Sequence, residues 1–248
     1  MSEPDFKELY TGRKKKHVSK KQRTPTAKKK AVKQAPKKSK SGPQPVTVSK
    51  KDDRDQLKEI EWFFEDLGRS KKIYIGIDPG TTGAIGLLHP TKESRSTAVD
   101  IPTYEIVTSK RTKSKKGFRK RRRFDNAQVW EYFKLMLKYK DRIVIALEKG
   151  QTRHTDNGIT GLAVGIGYGM WPLFLTSHGF DFEEFIPSVW KPRMGLSGED
   201  KERSRYMAQK LWPGAPLLRV GDHNRAEAML LAEYIKRKRN GNSNKRSS

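Results

Sequence analysis

The chain has 248 residues, no cysteine, an apolar fraction of 33% and a formal net charge of +26. Without cysteine, a disulfide framework and a cysteine-based zinc site are excluded, and no apolar run approaches the roughly 20 residues of a membrane span. An excess of positive charge this large indicates a polyanionic partner, and nucleic acid is favoured over anionic lipid because the excess also lies inside the predicted folded domain.

The two ends of the chain are predicted to be disordered basic tails, at residues 1–51 and 239–248. Between Arg13 and Lys51 there is no acidic residue and hardly any large apolar one. Such a segment cannot bury enough apolar area to offset the entropy of ordering. A reducing, intracellular compartment is expected, while nucleus, organelle nucleoid and host cytoplasm stay open, as does the role of the N-terminal tail.

Residues 52–70 are predicted to form a short amphipathic helix and a linker. Its apolar side chains recur at helical spacing, and Gly68 marks the end; these side chains are Leu57, Ile60, Phe63, Phe64 and Leu67. Two interpretations stay open: the helix packs on the core of its own domain, or it docks on a partner or a second subunit.

The folded domain is predicted over residues 71–238 as an α/β domain. Strands are predicted at 72–78, 84–89, 96–101, 143–147 and 180–186, and helices at 125–139, 160–178, 199–211 and 225–238. Three consecutive strands followed by alternating helices and strands imply a mixed sheet with helices on its faces. The strongly basic stretch 110–123 is predicted to be a loop.

Acidic residues stand at two strand ends and around the start of the last helix. Asp78 follows the first strand and precedes Pro79-Gly80, Glu148 ends the 143–147 strand, and Asp222 and Glu227 bracket the helix start. Because neighbouring strands lie about 4.8 Å apart, carboxylates at their ends can share a metal. Hard oxygen ligands favour Mg²⁺, with Mn²⁺ as substitute, and two ions about 3.5–4 Å apart suit phosphodiester hydrolysis.

Each of these acidic residues also has a simpler structural interpretation. Asp78 could belong to an ordinary Pro-Gly turn, Glu148 could be a surface ion-pair partner, and Asp222 could cap the last helix. Taken together in so basic a chain, they favour a metal site in an enzyme that cuts nucleic acid.

Five segments resemble motifs of the RuvC-type Holliday junction resolvases, in the family's order. They are IGIDPGTTG at 75–83, IALE at 145–148, GIGYGMW at 165–171, PSVWK at 187–191 and DHNRAEAMLLA at 222–232. The third and fourth are most similar to the chloroplast resolvase branch and its phage and bacterial relatives. The resemblance extends from about Lys72 to Lys236.

The resemblance implies an RNase H-like fold, a homodimer, and paired Mg²⁺-dependent nicks in four-way junction DNA that leave 5′-phosphate ends. It implies Asp78, Glu148 and Glu227 as catalytic metal ligands. In classical members an acidic residue stands three positions before the last carboxylate, and here that position holds Asn224. Asp222 is therefore predicted as the fourth ligand, with His223 as a possible substitute. No small-molecule cofactor and no membrane partner are expected.

Basic residues fall where the family contacts DNA. Lys191 and Lys201 are predicted to bind the scissile phosphates, although two solvated lysines would look the same in sequence. A basic run is predicted to hold the junction arms through phosphates; it consists of Arg119, Lys120, Arg121, Arg122 and Arg123. The glycines of 161–169 indicate close approach of a second subunit or of DNA, with core packing as the alternative. Tyr168 and Trp171 are expected in the core.

Other functions share parts of this pattern. The actin, sugar-kinase and heat-shock ATPases have a similar first motif but need two such domains. Other nucleases on the same sheet, of the RNase H or transposase type, would keep the metal site. A non-catalytic junction-binding protein would gain nothing from carboxylates that repel DNA. The favoured hypothesis is a structure-selective DNA endonuclease, with its cleavage sequence and branch-migration partner undetermined.

Overall fold

The structure is a computed structural model that describes residues 53–65, 67–68, 71–112, 115–152, 158–196 and 201–244. The predicted N-terminal tail, 1–51, lies outside the described residues, as do the last four residues of the predicted C-terminal tail. No helix in the described ranges has both the length and the apolar character needed to cross a membrane.

Seven strands and six α-helices make up the described part of the chain. The strands are β1 (Ile73–Ile77), β2 (Ala84–Leu88), β3 (Thr97–Asp100), β4 (Thr103–Thr112), β5 (Lys115–Phe124), β6 (Ile143–Glu148) and β7 (Asp181–Phe185). The helices are α1 (Asp53–Phe64), α2 (Asn126–Leu137), α3 (Gly158–Ser177), α4 (Pro187–Arg193), α5 (Lys201–Leu211) and α6 (His223–Asn244).

Five strands form one mixed sheet in the order β3-β2-β1-β6-β7. The pairs β3–β2 and β2–β1 are antiparallel, whereas β1–β6 and β6–β7 are parallel. This order and these directions are those of the RNase H-like sheet, so the predicted fold class is confirmed. Because β1 and β6 are parallel neighbours, their carboxyl ends meet at one edge of the sheet.

Helices cover both faces of this sheet, and strand alternation divides the core between them. Ile73, Ile75 and Ile77 belong to one buried cluster, together with side chains of α1, α2 and α3. Tyr74 and Val144 belong to the other, with side chains of α4, α5 and α6. Both faces are therefore buried, which is why the central strands are almost continuously apolar.

Two strand glycines let α6 approach the sheet closely. A Cβ atom on Gly76 would lie 2.0 Å from the carbonyl oxygen of Ala228, and one on Gly86 would lie 2.4 Å from the Met229 nitrogen. No side chain fits at either position. Since Glu227 directly precedes Ala228, this backbone contact also fixes the position of Glu227 relative to β1.

Helix α1 packs on the core of its own domain, as the first of the two interpretations predicts. Ile60 and Phe63 are fully buried. Gln56 adds a polar connection, because its Oε1 accepts a hydrogen bond from the Asp100 backbone N–H at 2.7 Å. The helix therefore lies beside α2 and contacts β3 at the edge of the sheet.

The prediction of a loop at 110–123 is wrong. Residues 110–112 and 115–123 belong to β4 and β5, which form a separate two-stranded antiparallel sheet in register from Thr103 opposite Phe124 to Thr112 opposite Lys115. The dense charge concealed the strand pattern, because cations stand at both odd and even positions and leave no apolar alternation to recognise.

Two further differences concern helices. α4 was not predicted; it begins at Pro187, a residue suited to the first helical turn because its ring fixes φ and no N–H is needed there. The prediction of a disordered tail from residue 239 is wrong as far as Asn244, where α6 ends. Arg239 explains the extension, since its guanidinium lies 2.6 Å from the Glu183 carboxylate on β7.

Candidate active site

Asp78 and Glu148 lie side by side at the carboxyl edge of the sheet. Ile77 pairs with Leu147 in the parallel β1–β6 register, so the next residue on each chain is one of the two carboxylates. A tight turn follows β1, in which Gly83 N–H donates to the Gly80 carbonyl at 2.8 Å. The two strand ends that the sequence predicts to meet do meet.

The two carboxyl groups are held in an environment that opposes their ionisation. Burial raises the pKa of Asp78 to about 6, with a further rise from Glu227 and an opposing hydrogen bond from Gly80 N–H. Burial likewise raises the pKa of Glu148 to about 7, and the charges of Asp78 and Glu227 add to it. Acids that repel one another in a half-buried site need a cation.

Glu227 reaches this cluster from the first turns of α6. Its Oε2 accepts a hydrogen bond from Lys191 Nζ at 2.8 Å, and its Oε1 accepts one from Ser204 Oγ at 3.2 Å. The side chains of Glu227 and Lys191 are 16% and 27% exposed, so the ion pair is mostly shielded from water. Three elements of the fold, β1, β6 and α6, thus each supply one carboxylate.

Lys191 is the positive charge at the centre of the cluster. Burial acts to lower the pKa of its ammonium, but Glu148, Glu227 and Asp78 together hold that pKa above its ordinary value. The same charge lowers the pKa of both Asp78 and Glu148. Lys191 is therefore an internal counter-ion for all three acids.

The oxygens that remain available suit a hard metal ion. Asp78 Oδ1 accepts from Gly80 N–H at 3.3 Å and Glu148 Oε2 accepts from Trp190 Nε1 at 2.9 Å. Asp78 Oδ2 and Glu148 Oε1 accept no hydrogen bond from any described residue. Two unpaired carboxylate oxygens on neighbouring strands form a donor set that fits Mg²⁺ or Mn²⁺.

As they stand, the described residues contain no group of three or more acidic or histidine side chains that is placed to hold a metal ion. Lys191 occupies Oε2 of Glu227, so this carboxylate can bind an ion only after the ammonium has moved away. The long, flexible lysine side chain permits that movement.

Asp222 is paired with an arginine on its own turn. It is 2% exposed, and its Oδ1 accepts hydrogen bonds from the Arg219 guanidinium at 2.6 and 2.9 Å. Its Oδ2 accepts from the Arg219 backbone N–H at 2.7 Å. His223 instead acts on Asp78, whose pKa it lowers. The roles of Asp222 as a ligand and of His223 as its possible substitute stay predictions.

The predicted DNA contacts are only partly described. Lys201 begins α5, and Arg119 and Lys120 lie on β5, but the side chains of these three lie outside the described residues. Arg121, Arg122 and Arg123 are exposed at the end of β5 that adjoins the main sheet.

Sequence reasoning missed two residues that hold the carboxylates in place. Trp190 is fully buried, and its indole N–H donates to Glu148. Ser204 is 3% exposed, and its hydroxyl donates to Glu227. A tryptophan beside Lys191 is typical of a core residue, and a lone helical serine gives no signal. Only the fold brings either one to a carboxylate.

One cavity adjoins the carboxylate cluster, and another lies near the turn after β1. The first, of about 720 Å³, is lined by Glu148, Lys191, Pro187 and the segment 149–152. The second, of about 740 Å³, is lined by Thr82, His223 and Arg122 among others.

Carboxylates from the ends of β1 and β6 and from the start of α6 thus lie at the carboxyl edge of an RNase H-like sheet. No protein family matches the chain by sequence, and no curated protein matches it significantly. Two solved structures are similar in fold: RuvC of Thermus thermophilus in complex with a Holliday junction substrate, and RuvC of the same organism. Both are 15% identical, cover 67% of this chain and 96% of their own, and have TM-scores of 0.37 and 0.38.

Proposed function

We propose that the protein is a metal-dependent DNA endonuclease that resolves four-way junctions by paired nicks. The observation that carries the proposal is the meeting of Asp78, Glu148 and Glu227 around Lys191 at one sheet edge. Three acids in so basic a chain repel the expected polyanionic partner. A catalytic role explains why acidic residues are present at this place. The order of the five RuvC-like sequence motifs supports junction DNA as the substrate.

Asp78, Glu148 and Glu227 would hold Mg²⁺, with His223 or Asp222 as an additional group. When bound, the ion would lower the pKa of a water and stabilise the charge on the oxygens of the cleaved phosphodiester. Trp190 and Ser204 restrict the rotation of Glu148 and Glu227, because each fixes one oxygen of its carboxylate. Pre-ordered carboxylates need no rearrangement when the substrate arrives.

Lys191 would exchange one partner for another when DNA and metal enter. In the free protein its ammonium interacts with all three acids. Once the metal supplies that charge, the ammonium can bind a non-bridging oxygen of the scissile phosphate through a charge-assisted hydrogen bond. The lysine thus reaches the phosphate from α4, next to the cavity lined by Glu148 and the segment 149–152.

The junction arms would be held by phosphate contacts. The net charge of +26 and the exposed Arg121, Arg122 and Arg123 provide a sequence-independent attraction that weakens with salt. Such contacts orient a duplex and do not read its bases. Selectivity for branched DNA must then come from shape.

A homodimer would place two active sites on opposite strands of one junction. The exposed side of α3 supports this, since Leu162, Ile166 and Leu173 are 65%, 44% and 73% exposed. With Gly169 they follow spacings of four, three and four residues, so they share one helix face. An apolar stripe with a glycine at its centre is suited to close packing against its own copy.

The test is cleavage of a labelled synthetic four-way junction, with linear duplex and RNA–DNA hybrid as alternatives. We expect symmetric paired nicks in the junction alone, dependent on Mg²⁺ and lost in Asp78→Asn, which should still bind the junction. Asp141→Asn is the matched control, because Asp141 is exposed and precedes β6, at the opposite edge of the sheet.

Other outcomes identify the alternatives. Cleavage of the hybrid or of linear duplex would indicate an RNase H-type or transposase-type nuclease that uses the same metal site. Tight junction binding without cleavage of any substrate would indicate a non-catalytic junction-binding protein and would refute the proposal.

A further inference from the structure

Asp100, at the end of β3, is paired with the start of α6. Its Oδ1 and Oδ2 accept hydrogen bonds from Nε and from a terminal nitrogen of Arg225, at 2.7 and 2.9 Å. Oδ2 also lies 3.8 Å from the guanidinium of Arg219, which precedes the helix. The Arg225 side chain is only 8% exposed. A two-point contact to a buried guanidinium sets the orientation of the helix as well as its distance from β3.

The same end of the sheet is bonded to the turn that follows β1. Directly after β3, the Ile101 N–H donates to the Gly83 carbonyl at 3.0 Å. From α6, the Asn224 amide donates to the Thr82 carbonyl at 2.6 Å. The turn, the end of β3 and the start of α6 therefore form a closed ring of contacts. This ring is called the Asp100 clamp, and it consists of residues 80–83, 100–101 and 224–225.

Helix α1 supports the Asp100 clamp through one side chain. Gln56 Oε1 accepts hydrogen bonds from the Asp100 backbone N–H at 2.7 Å and from the Arg225 guanidinium at 3.4 Å. α1 lies before Lys72, where the resemblance to the RuvC-type motifs begins. A segment that those motifs do not include is thus bonded to both members of the Asp100–Arg225 pair.

The two sides of the Asp100 clamp carry groups of the proposed active site. Asp78 lies directly before the turn on one side. On the other side, Glu227 lies two residues after Arg225, and His223 lies two residues before it. His223 lowers the pKa of Asp78, so the two sides meet at that carboxylate. Because a displacement of about 1 Å in an active site can cost about a hundredfold in rate, the dimensions of the clamp matter for catalysis.

We infer that Asp100 and Gln56 are positioning residues, which set the distance between Asp78 and Glu227 through Arg225. The inference rests on the proposed function and deepens it, because it makes α1 a working part of the catalytic domain. Both residues act through Arg225 and not through contact with the substrate. Their loss should therefore lower the rate of cleavage and the affinity for metal, while binding of the junction, which depends on the basic surface, is kept.

Asp100→Asn provides the first experiment, because it removes the charge that holds two arginines at nearly constant side-chain volume. We expect the single-turnover rate of junction cleavage to fall about ten- to a hundredfold. The Kd for the junction should stay within about twofold of wild type, because phosphate contacts dominate that affinity. The Kd for Mn²⁺ in the DNA-free protein should rise several-fold. A general loss of folded protein would instead lower the bound fraction together with the rate.

Gln56→Met and Gln56→Glu separate the hydrogen bond of Gln56 from the packing of α1. Both variants keep a side chain of similar length, but only glutamate keeps an oxygen that can accept from the Asp100 N–H. We expect Gln56→Met to slow single-turnover cleavage about tenfold, and Gln56→Glu to cleave at close to the wild-type rate. This pair of variants decides the matter if Asp100→Asn fails to fold.

Thr97→Val is the matched control, because Thr97 joins the same two elements three residues before Asp100. Its hydroxyl donates to the Glu59 carboxylate on α1, so this variant also removes one hydrogen bond between α1 and β3. Thr97 is 1% exposed, and valine has nearly the same shape. The free energy of unfolding should fall in Thr97→Val as in Gln56→Met, but the cleavage rate and the Mn²⁺ affinity should stay at their wild-type values.

The outcomes separate this inference from the proposed function. If wild-type protein cuts the junction, and Asp100→Asn and Gln56→Met cut it equally fast, the inference is wrong and the nuclease stands. A rate that is lowered as much in Thr97→Val as in Gln56→Met would show that α1 acts through stability alone, and would overturn the inference. If wild-type protein cuts no DNA, the proposed function itself fails and the inference fails with it.

Discussion

Nζ of Lys191 lies 2.8 Å from Oε2 of Glu227, and the same ammonium acts on Asp78 and Glu148. An ammonium and a divalent ion are alternative ways to neutralise these carboxylates. In the free protein Lys191 must therefore compete with any metal that binds there. The cost of metal binding includes the separation of a half-buried ion pair.

This competition predicts opposite effects of Lys191→Met on metal affinity and on cleavage. Without the ammonium, Mn²⁺ should bind the DNA-free protein about tenfold more tightly, because one competing unit charge is removed from a shielded site. Cleavage of the junction should nevertheless fall, since the phosphate contact is lost. Calorimetric titration with Mn²⁺ and single-turnover cleavage measure the two effects.

Lys149→Met is the matched control for this prediction. Lys149 lies next to Glu148 in sequence, but its ammonium lies over the Tyr168 ring and is not paired with a carboxylate of the cluster. Metal affinity should change little. Weaker Mn²⁺ binding by Lys191→Met than by wild type would contradict the assignment of Lys191 as a competing cation.

Trp190→Phe should shift the pH dependence of cleavage. Burial raises the pKa of Glu148 to about 7, and the hydrogen bond from Trp190 opposes that rise. Without the indole N–H the pKa rises further, so the ionised form that can hold a metal is reached only at higher pH. We expect the acidic limb of the kcat/KM profile to move up by as much as about one pH unit.

Trp171→Phe separates this effect from the loss of ring volume. Trp171 is also fully buried, and its indole nitrogen has no hydrogen-bond partner among the described residues. Both variants should lose stability through the smaller ring, but the pH profile of Trp171→Phe should match that of wild type. An equal shift in both variants would show that Trp190 acts through packing alone.

The raised pKa values also predict that the metal-free protein becomes less stable as pH rises. The ordinary values are 3.8 for Asp78 and 4.5 for Glu148, whereas in the fold they are about 6 and about 7. Between pH 4 and 7 the native state thus holds protons that the unfolded chain has lost. The free energy of unfolding falls across this window and levels off above it.

Glu148→Gln should reduce the fall in the free energy of unfolding that occurs as pH rises. In EDTA at pH 8 we expect its free energy of unfolding to exceed that of wild type by about 1–3 kcal/mol, with little difference at pH 4. Urea titrations at the two pH values measure this. Mg²⁺ should reverse the order, because it stabilises wild type by binding to the native state only. Glu131→Gln, at an exposed position of α2, should show neither effect.

How far the sequence could predict this site depends on which contacts are local. Asp78 and Glu148 were predicted because each ends an apolar strand, and adjacent parallel strands bring such residues together. Asp222 and His223 are neighbours in sequence, but a short turn directs Asp222 to Arg219 and places His223 near Asp78. Trp190 and Ser204 reach their carboxylates only through the packing of α4 and α5, which no local pattern records.

The close approach of α6 to the sheet yields the last prediction. In Gly76→Ala the new Cβ would lie 2.0 Å from the Ala228 carbonyl oxygen and 2.8 Å from the Ala232 nitrogen, so the helix backbone must move. We expect a loss of about 3 kcal/mol in the free energy of unfolding. Because Glu227 is carried by the same turn, Mn²⁺ affinity of the folded fraction should fall as well.

Gly165→Ala in α3 is the control: its Cβ would meet nothing within 4 Å, and the change should stabilise the helix by up to about 1 kcal/mol. If Gly76→Ala lost stability but kept wild-type Mn²⁺ affinity, Glu227 would not depend on this contact for its position.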